Sequence, residues 1–338
     1  MPRLIEPVLQ EDEQVVELSL RPNTFNEFVG QQRVKEQLSI FLKAARDRGE
    51  ALDHCLFYGP PGLGKTTLSH LIAKEMGTQV RVTTGPVLER PADLAGLLTN
   101  LQHGDILFVD EIHRLSSSIE EYLYPAMEDF RLDILIDKGA AARTLQLNLN
   151  KFTLVGATTR AGLLSSPLRS RFGVTLRLDY YSPEELVEIL RRTARLLNTN
   201  CTEDGLREIA SRSRGTPRVA NRLLRRVRDV AQVKGADIVT PELAHEALRL
   251  LEIDDFGLDD LDKRLMLALL EKFRGGPVGL GTLAVTVGED EGTLEELCEP
   301  YLIRQGFLER TSRGRQATIR AFEHFGVRRS AADQTRLL

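Results

Sequence analysis

Cysteine is scarce in this 338-residue chain. Cys55, Cys201 and Cys298 lie far apart, and none stands near a second cysteine or in a metal-ligand spacing. A disulfide scaffold and a structural zinc site are excluded on that count, and buried or reduced thiols in a cytoplasmic protein are expected. Long apolar runs are missing too. None approaches the ~18–20 residues that cross a bilayer, so no membrane segment is expected. The opening "MPRLIEPVLQEDEQ" has no apolar stretch behind basic residues and does not read as a signal peptide. Internal repeats and low-complexity tracts are absent. Nor is positive charge in excess: 45 Lys and Arg against 49 Asp and Glu give a net charge of -4 and a pI near 6.0. Contact with nucleic acid would therefore have to come from a local patch. A hydrophobic content of 42% and a charged content of 28% describe a soluble globular chain, and its length suits two or three domains.

The first half alternates strand-like and helix-like stretches. "CLFYG" (Cys55–Gly59), "QVRVT" (Gln79–Thr83), "DILFVDE" (Asp105–Glu111), "KFTLVGATT" (Lys151–Thr159) and "VTLRL" (Val174–Leu178) read as strands. Helical patterns lie between several of them, notably Lys65 to Met76. Buried strands alternating with helices predict an α/β fold, a parallel sheet covered on both faces. One insertion breaks the rhythm. Residues 131–152 read as a β-hairpin around "DKGAAA", with Leu132, Ile134, Ile136, Leu145, Leu147 and Leu149 at period two.

At Ser182 the pattern turns helical. "SPEE" supplies an N-cap, a proline at the first helical position and Glu185 for a capping box, and "TPEL" at Thr240–Leu243 repeats the cap and proline. A small α-helical domain is expected over 182–252. Glu252–Asp262 then carries six acids and no base, which marks a boundary. The remainder reads as three helices and two short strands, "GFLER" (Gly306–Arg310) and "QATIR" (Gln316–Arg320), joined by "TSRGR". That order fits a winged helix. The expected division is a large domain over 1–181 that contains the 131–152 hairpin, a lid over 182–252 and a head over 256–338.

"GPPGLGKTT" (Gly59–Thr67) matches G-x-x-x-x-G-K-[ST] directly after a strand and at the start of a helix, the context that the motif requires. Gly62 and Gly64 let the backbone wrap close to phosphate, and the helix N-terminus adds partial positive charge. Lys65 suits the β- and γ-phosphates, Thr66 a magnesium ion, and Thr67 completes the nucleotide-contacting turn. "ILFVDEIH" delivers Asp110 and Glu111 at a strand's C-terminal end, where ligands bind in open α/β sheets. Asp110 suits the Mg²⁺ shell, and Glu111 can polarise a water that attacks the γ-phosphate. "GATTR" ends another strand, and either Thr158 or Thr159 could hold that water, with Thr158 the chosen candidate.

Near the other end, "FLERTSRGRQATIRAF" gathers Arg310, Arg313, Arg315 and Arg320 against one acid, Glu309. In a winged helix Thr311–Arg315 would be the wing tip, with Arg310 and Arg315 at its base. Arginine forks suit phosphate, and the segment has few base-reading side chains, so backbone contact with duplex DNA is expected.

Taken with "LRPNTFNEFVGQ", "YPAMEDFRLDI", "GATTRAGLLSSPLRSRFG", "SRGTPRVANRLLRR" and "EPYLIRQGFLERTSRGRQAT", these motifs resemble the AAA+ ATPases, and within them the RuvB family of Holliday-junction branch-migration motors. The resemblance spans residues 17 to 326. It implies an AAA+ P-loop domain, a small helical lid and a C-terminal winged helix, which together form an ATP-driven DNA translocase. It implies that Leu20 and Arg21 line the adenine side and that Tyr181 contacts nucleotide at the hinge. Glu128, Asp129 and Phe130 would approach it as well. From the residues alone Arg169 and Arg171 are equal candidates for an arginine finger. The resemblance implies Arg171, reaching the ATP of a neighbouring subunit in a homohexamer, and Arg218 as a sensor of phosphate in its own subunit. It also implies a RuvA-type partner docked on the 131–152 hairpin and a RuvC-type resolvase as a further partner. Where the family pattern leads one to expect an acid between the two arginines, Ser170 stands instead.

Two other readings compete. A clamp-loader-like ATPase would open a ring rather than move DNA, and the winged helix argues against it. A DNA-binding adaptor with a vestigial ATP site is opposed by Lys65, Thr66, Asp110 and Glu111 together.

Overall fold

A computed structural model describes residues 17–135 and 144–328. The hairpin tip, with Ile136 and all of "DKGAAA", lies outside the described residues, as do the segment before Glu17 and the tail after Arg328.

Five strands form one parallel sheet: β1 (Cys55–Tyr58), β2 (Val80–Thr84), β3 (Ile106–Asp110), β6 (Thr153–Thr158) and β7 (Val174–Arg177). Their spatial order is β2-β3-β6-β1-β7. The strand that carries "GATT" therefore lies between the phosphate-loop strand and the acid strand, with Tyr58 opposite Thr158 and Val109 opposite Gly156. The order follows from burial. β6 is buried at every position, as a central strand must be, and β2 at the edge is largely open.

Helices α1 (Gln32–Arg48), α2 (Lys65–Met76), α3 (Pro91–Thr99), α4 (Ser117–Glu128) and α5 (Ser166–Ser170) accompany the sheet. α1 buries Val34, Leu38, Leu42 and Ala45, a stripe at helical spacing. One apolar core joins Leu107, Val109 and Leu154 of the sheet to Leu94 and Leu98 of α3 and Ile119 and Leu123 of α4.

The inserted hairpin pairs β4 (Arg131–Leu135) with β5 (Thr144–Asn148), Leu132 opposite Leu147. Its base does not protrude. Leu132 is fully buried, and Leu147 and Leu149 pack on the sheet's core, whereas Leu145 is exposed.

The chain divides into two compact units, one ending at Glu185 and the other beginning at Leu186. α6 (Pro183–Leu196) starts as "SPEE" predicts: Ser182 N–H donates to Glu185 Oε2 at 2.8 Å, and Glu185 N–H to Ser182 Oγ at 3.2 Å. α7 (Glu203–Ser211), α8 (Pro217–Val233) and α9 (Pro241–Leu250) complete the lid, with Thr240 capping α9 through Leu243 N–H. α10 (Asp260–Leu267), α11 (Leu280–Val287), α12 (the helical run 291–304), β8 (Leu308–Thr311), β9 (Gly314–Ala317) and α13 (Ile319–Phe325) form the head around a second apolar core.

Lid and head share the second unit through a buried arginine. Arg214 Nε donates to Gly257 O at 2.8 Å, its guanidinium pairs with buried Asp262 and lies 4.8 Å from the Tyr301 ring centre, and its own carbonyl accepts from Arg304.

The wing departs from its expected outline. Thr311 pairs with Gly314, so the turn is two residues, Ser312 and Arg313. The second strand ends at Ala317, because Thr318 turns to cap α13 through Ala321 N–H. A Cβ on Gly314, at φ 133°, would lie 2.4 Å from Val278 O, which fixes glycine there.

Candidate nucleotide site and nucleic-acid interface

The phosphate loop leaves β1 at Gly59 and enters α2 at Lys65. Gly59, Gly62 and Gly64 all take positive φ, at 143°, 78° and 101°, a path that residues with a Cβ rarely follow. No side chain caps the start of α2, so its first amide groups remain directed at the loop's concave side. Lys65 Nζ donates to the Gly59 and Pro60 carbonyls at 2.8 and 2.9 Å. Thr66 and Thr67 follow in the first turn.

Asp110 ends β3, and its Oδ1 accepts from Glu111 N–H at 3.0 Å. Glu111 sits at φ 46°, a strained backbone of the kind that gathers at functional sites. Its carboxylate lies 3.1 Å from His113 Nδ1 and 3.3 Å from Thr159 Oγ1. Burial alone would raise its pKa. The hydrogen bond and charge of His113, then the charge of Lys65, outweigh burial and hold the carboxyl below its ordinary value.

The two threonines separate here. Thr158 is fully buried, its Oγ1 2.8 Å from His113 Nδ1 and accepting Arg160 N–H at 2.9 Å. Thr159 is the one whose hydroxyl faces Glu111. Thr158 is the last residue of β6, whereas Thr159 lies in the bend that follows it.

The Tyr181 hydroxyl donates to Leu63 O in the phosphate loop at 3.1 Å, and burial pushes its phenol pKa well up. Phe28, to which the sequence motifs assign no role, packs 3.0 Å from where a Gly64 Cβ would stand. Gly30 takes φ 71°, and a Cβ there would lie 2.7 Å from the Tyr181 ring. Leu20 is buried. Arg21 adds to burial in depressing the pKa of His70 on α2, which places its charge beside that helix. The quoted motifs contain Phe28, Gly30 and His113 but assign them no role, because the contacts with Gly64, Tyr181 and Thr158 join residues distant in sequence.

Glu128, Asp129 and Phe130 do not approach the loop of their own chain. The Phe130 ring lies 6.2 Å from His54 and 5.9 Å from Phe152, residues just before β1 and β6 and so at the opposite end of the sheet. Asp129 pairs with Arg131 at 3.0 Å, and Glu128 with Arg171 at 3.1 Å. Arg171 precedes β7, so it stands at that same far end, a strand length of roughly 13 Å from the loop end of the sheet. Arg169 is exposed, whereas Arg171 is held in place.

The wing arginines are not free guanidinium groups. Glu299, 2% exposed, takes Arg310 Nε at 2.9 Å and Arg315 Nε at 2.5 Å, and Glu295 takes Arg310 Nη2 at 2.5 Å. Arg310 keeps 49% of its side chain exposed and Arg315 only 16%. Arg313 at the turn is exposed.

Three family models cover the chain in order. They are described as the Holliday junction DNA helicase RuvB P-loop domain over residues 20–178, the RuvB AAA lid domain over 181–254 and the RuvB C-terminal winged helix domain over 255–326. The chain belongs to the RuvB family. Like the family, it is a P-loop AAA+ ATP hydrolase that binds nucleotide. The Holliday junction branch migration complex subunit RuvB of Salinibacter ruber is 60% identical over 319 residues, 94% of this chain and 93% of that protein. Thermotoga maritima RuvB, described as a Holliday junction branch migration motor, matches with a TM-score of 0.84 at 50% identity, over 91% of this chain and 99% of that one. A mutant of the same Thermotoga protein gives a TM-score of 0.86, with 92% and 99% covered. The RuvB lid model spans Arg218, the second residue of α8 and half-buried in the second unit. Among the described residues no helix is long and apolar enough to cross a membrane, and no cluster of three His, Cys, Asp or Glu could hold a metal ion.

Proposed function

We propose that this RuvB-family chain burns ATP to drive duplex DNA through a homohexameric ring, and so moves Holliday junctions during recombination and repair. The observation that carries this reading is the interleaved sheet, which sets Glu111 and Thr159 beside the phosphate loop. Lys65 draws in the β- and γ-phosphates, and the amide groups of Gly62 to Thr67 cradle them. Glu111, held ionised, takes the proton of an attacking water that the Thr159 hydroxyl orients. Thr158 supports the same site through His113. Leu20, Arg21 and Tyr181 enclose the base. Thr66 and Asp110 fit a magnesium ion: one is a hydroxyl in the turn after the glycine cradle, the other a carboxylate at the end of β3. That ion, when bound, neutralises phosphate charge.

Arg171 completes the site of a neighbouring subunit, because its place at the far end of the sheet keeps it from its own phosphates. Glu128, Asp129 and Phe130 share that face. Arg218 reports on phosphate from the lid. The working division is an ATPase domain to about 181, a lid over 182–252 and a head from 256. The head meets DNA phosphates through its wing, Arg310 contributing its open side and Arg315 bracing the strand beside it. Leu145 and the rest of the hairpin's outer half receive a RuvA-type partner, and a RuvC-type resolvase acts on the same junction. The protein works in the cytoplasm.

The test is a synthetic four-way junction with ATP, Mg²⁺ and a RuvA-type protein. Wild type should resolve the junction into duplexes, and Lys65→Ala should not. Active ATP hydrolysis without strand exchange would point to the clamp-loader-like alternative.

A further inference from the structure

Arg171 is held by an arrangement that the hydrolysis site does not by itself require. Nη1 donates to Pro167 O at 2.7 Å and Nη2 to Glu128 Oε2 at 3.1 Å, while the guanidinium carbon lies 4.3 Å from the centre of the Tyr124 ring. The ring is itself tethered. Its hydroxyl donates to Glu120 Oε2 at 2.9 Å, and that same oxygen accepts the Ser165 hydroxyl at 2.5 Å. Ser165 is the N-cap of α5, its Oγ accepting Leu168 N–H, and Arg171 is the residue that ends α5. A single carboxylate oxygen on α4 thus joins the platform under the guanidinium to the start of the helix that carries it.

Burial makes this arrangement informative. Glu120 is only 8% exposed. Placing a carboxylate there is costly, and an apolar side chain of the same volume would hold α4 against α5 at least as well. What an apolar residue could not do is fix the Tyr124 ring and the α5 cap through directed bonds. An arginine on a flexible stem gains most from such a platform: the ring limits its rotation while its outer edge stays available.

We propose that Tyr124 and Glu120 are positioning residues that hold Arg171 ready for the nucleotide of the neighbouring subunit. This rests on the reading that Arg171 acts across a subunit boundary. Misplacing a catalytic group by about 1 Å can cost on the order of 100-fold in rate, so the platform should govern turnover rather than nucleotide affinity.

The experiment uses the full chain on duplex DNA with ATP. Tyr124→Leu, which removes ring and hydroxyl, should lower kcat at least tenfold and leave KM for ATP within about twofold. Tyr124→Phe and Glu120→Gln keep the ring but loosen it, and should fall between Tyr124→Leu and wild type. Their small change of volume guards against misfolding, which a melting curve checks. The decisive step mixes variants before ring assembly. Tyr124→Leu subunits have an intact phosphate loop, and Lys65→Ala subunits an intact arginine platform, so mixing the impaired protein with the inactive one should raise hydrolysis above that of either alone. Arg171→Ala mixed with Lys65→Ala serves as control and should also recover. If Tyr124→Leu keeps wild-type kcat while Arg171→Ala loses it, the positioning role is wrong and the cross-subunit reading stands. The positioning role is equally wrong if only the Arg171→Ala mixture recovers. If neither mixture recovers, the cross-subunit reading itself fails, and the positioning role with it.

Discussion

Two glutamates share Arg310 and should behave as opposites when their charge is removed. Glu299 is buried and bonds the side chains of both Arg310 and Arg315, whereas Glu295 meets Arg310 at the surface, with 33% of its side chain exposed. Glu299→Gln keeps the shape but turns an amide N–H₂ toward guanidinium N–H groups and leaves Arg315, largely buried, without its counter-charge. Breaking a buried pair costs about 3–5 kcal/mol, and the retained amide oxygen recovers part of it, so the net loss should be about 2–4 kcal/mol. For a unit the size of lid plus head that lowers Tm by roughly 5–15 °C. The assay is thermal unfolding of the full chain, with amide exchange at 308–317 to localise the effect. Glu295→Gln should leave stability within about 0.5 kcal/mol, since exposed pairs contribute little. It should instead tighten duplex DNA binding by about 1.5- to 5-fold, because phosphate no longer competes with a carboxylate for Arg310. A Glu299→Gln protein that melts within about 1 °C of wild type would show that the wing arginines are not anchored as described. So would a Glu295→Gln protein that binds DNA more weakly.

Other outcomes follow from the same geometry. Arg310→Ala with Arg315→Ala should weaken binding to unrelated duplexes alike and flatten its salt dependence, which filter binding at several salt concentrations would show; a loss confined to one sequence would mean that the wing reads bases. Gly30→Ala forces a positive-φ backbone and drives a methyl into the Tyr181 ring, which should cost about 1–3 kcal/mol and weaken nucleotide binding measured by calorimetry. Glu111 has a depressed pKa, so its contribution is present above the ordinary carboxylate range and is lost only as pH falls through the lower folded value. In His113→Asn, burial would be opposed only by the charge of Lys65 and the backbone hydrogen bond of Thr159, and the acid limb of the kcat profile should move to higher pH; an unmoved limb would rule out His113 as the cause.

Much of the molecule is written locally. The phosphate loop needs glycines, a lysine and a threonine at fixed spacing between a strand and a helix, and all of these are neighbours along the chain. Ser182 and Thr240 announce their helices because a cap acts within three residues. Each strand of the sheet appears as its own local pattern, an apolar run or, in β2, an alternation at period two. The wing was legible as a hairpin but not in its register, since Thr318 could equally continue a strand or cap a helix until α13 packed behind it.

Strand order was beyond the sequence, because apolar runs do not say which is next to which. Only the sheet puts β6 between β1 and β3, and only that order sets Thr159 against Glu111 while turning Thr158 inward to His113. The same topology sends Phe130 and Arg171 to the end of the sheet away from the phosphates. Local spacing therefore determined that this chain binds and hydrolyses a nucleotide. The tertiary structure decided which threonine faces Glu111, which arginine is braced by Glu128 and the Pro167 carbonyl, and that the wing's arginines are held by a glutamate 11 and 16 residues away. Those choices depend on contacts between residues distant in sequence, and such contacts exist only once the chain has packed.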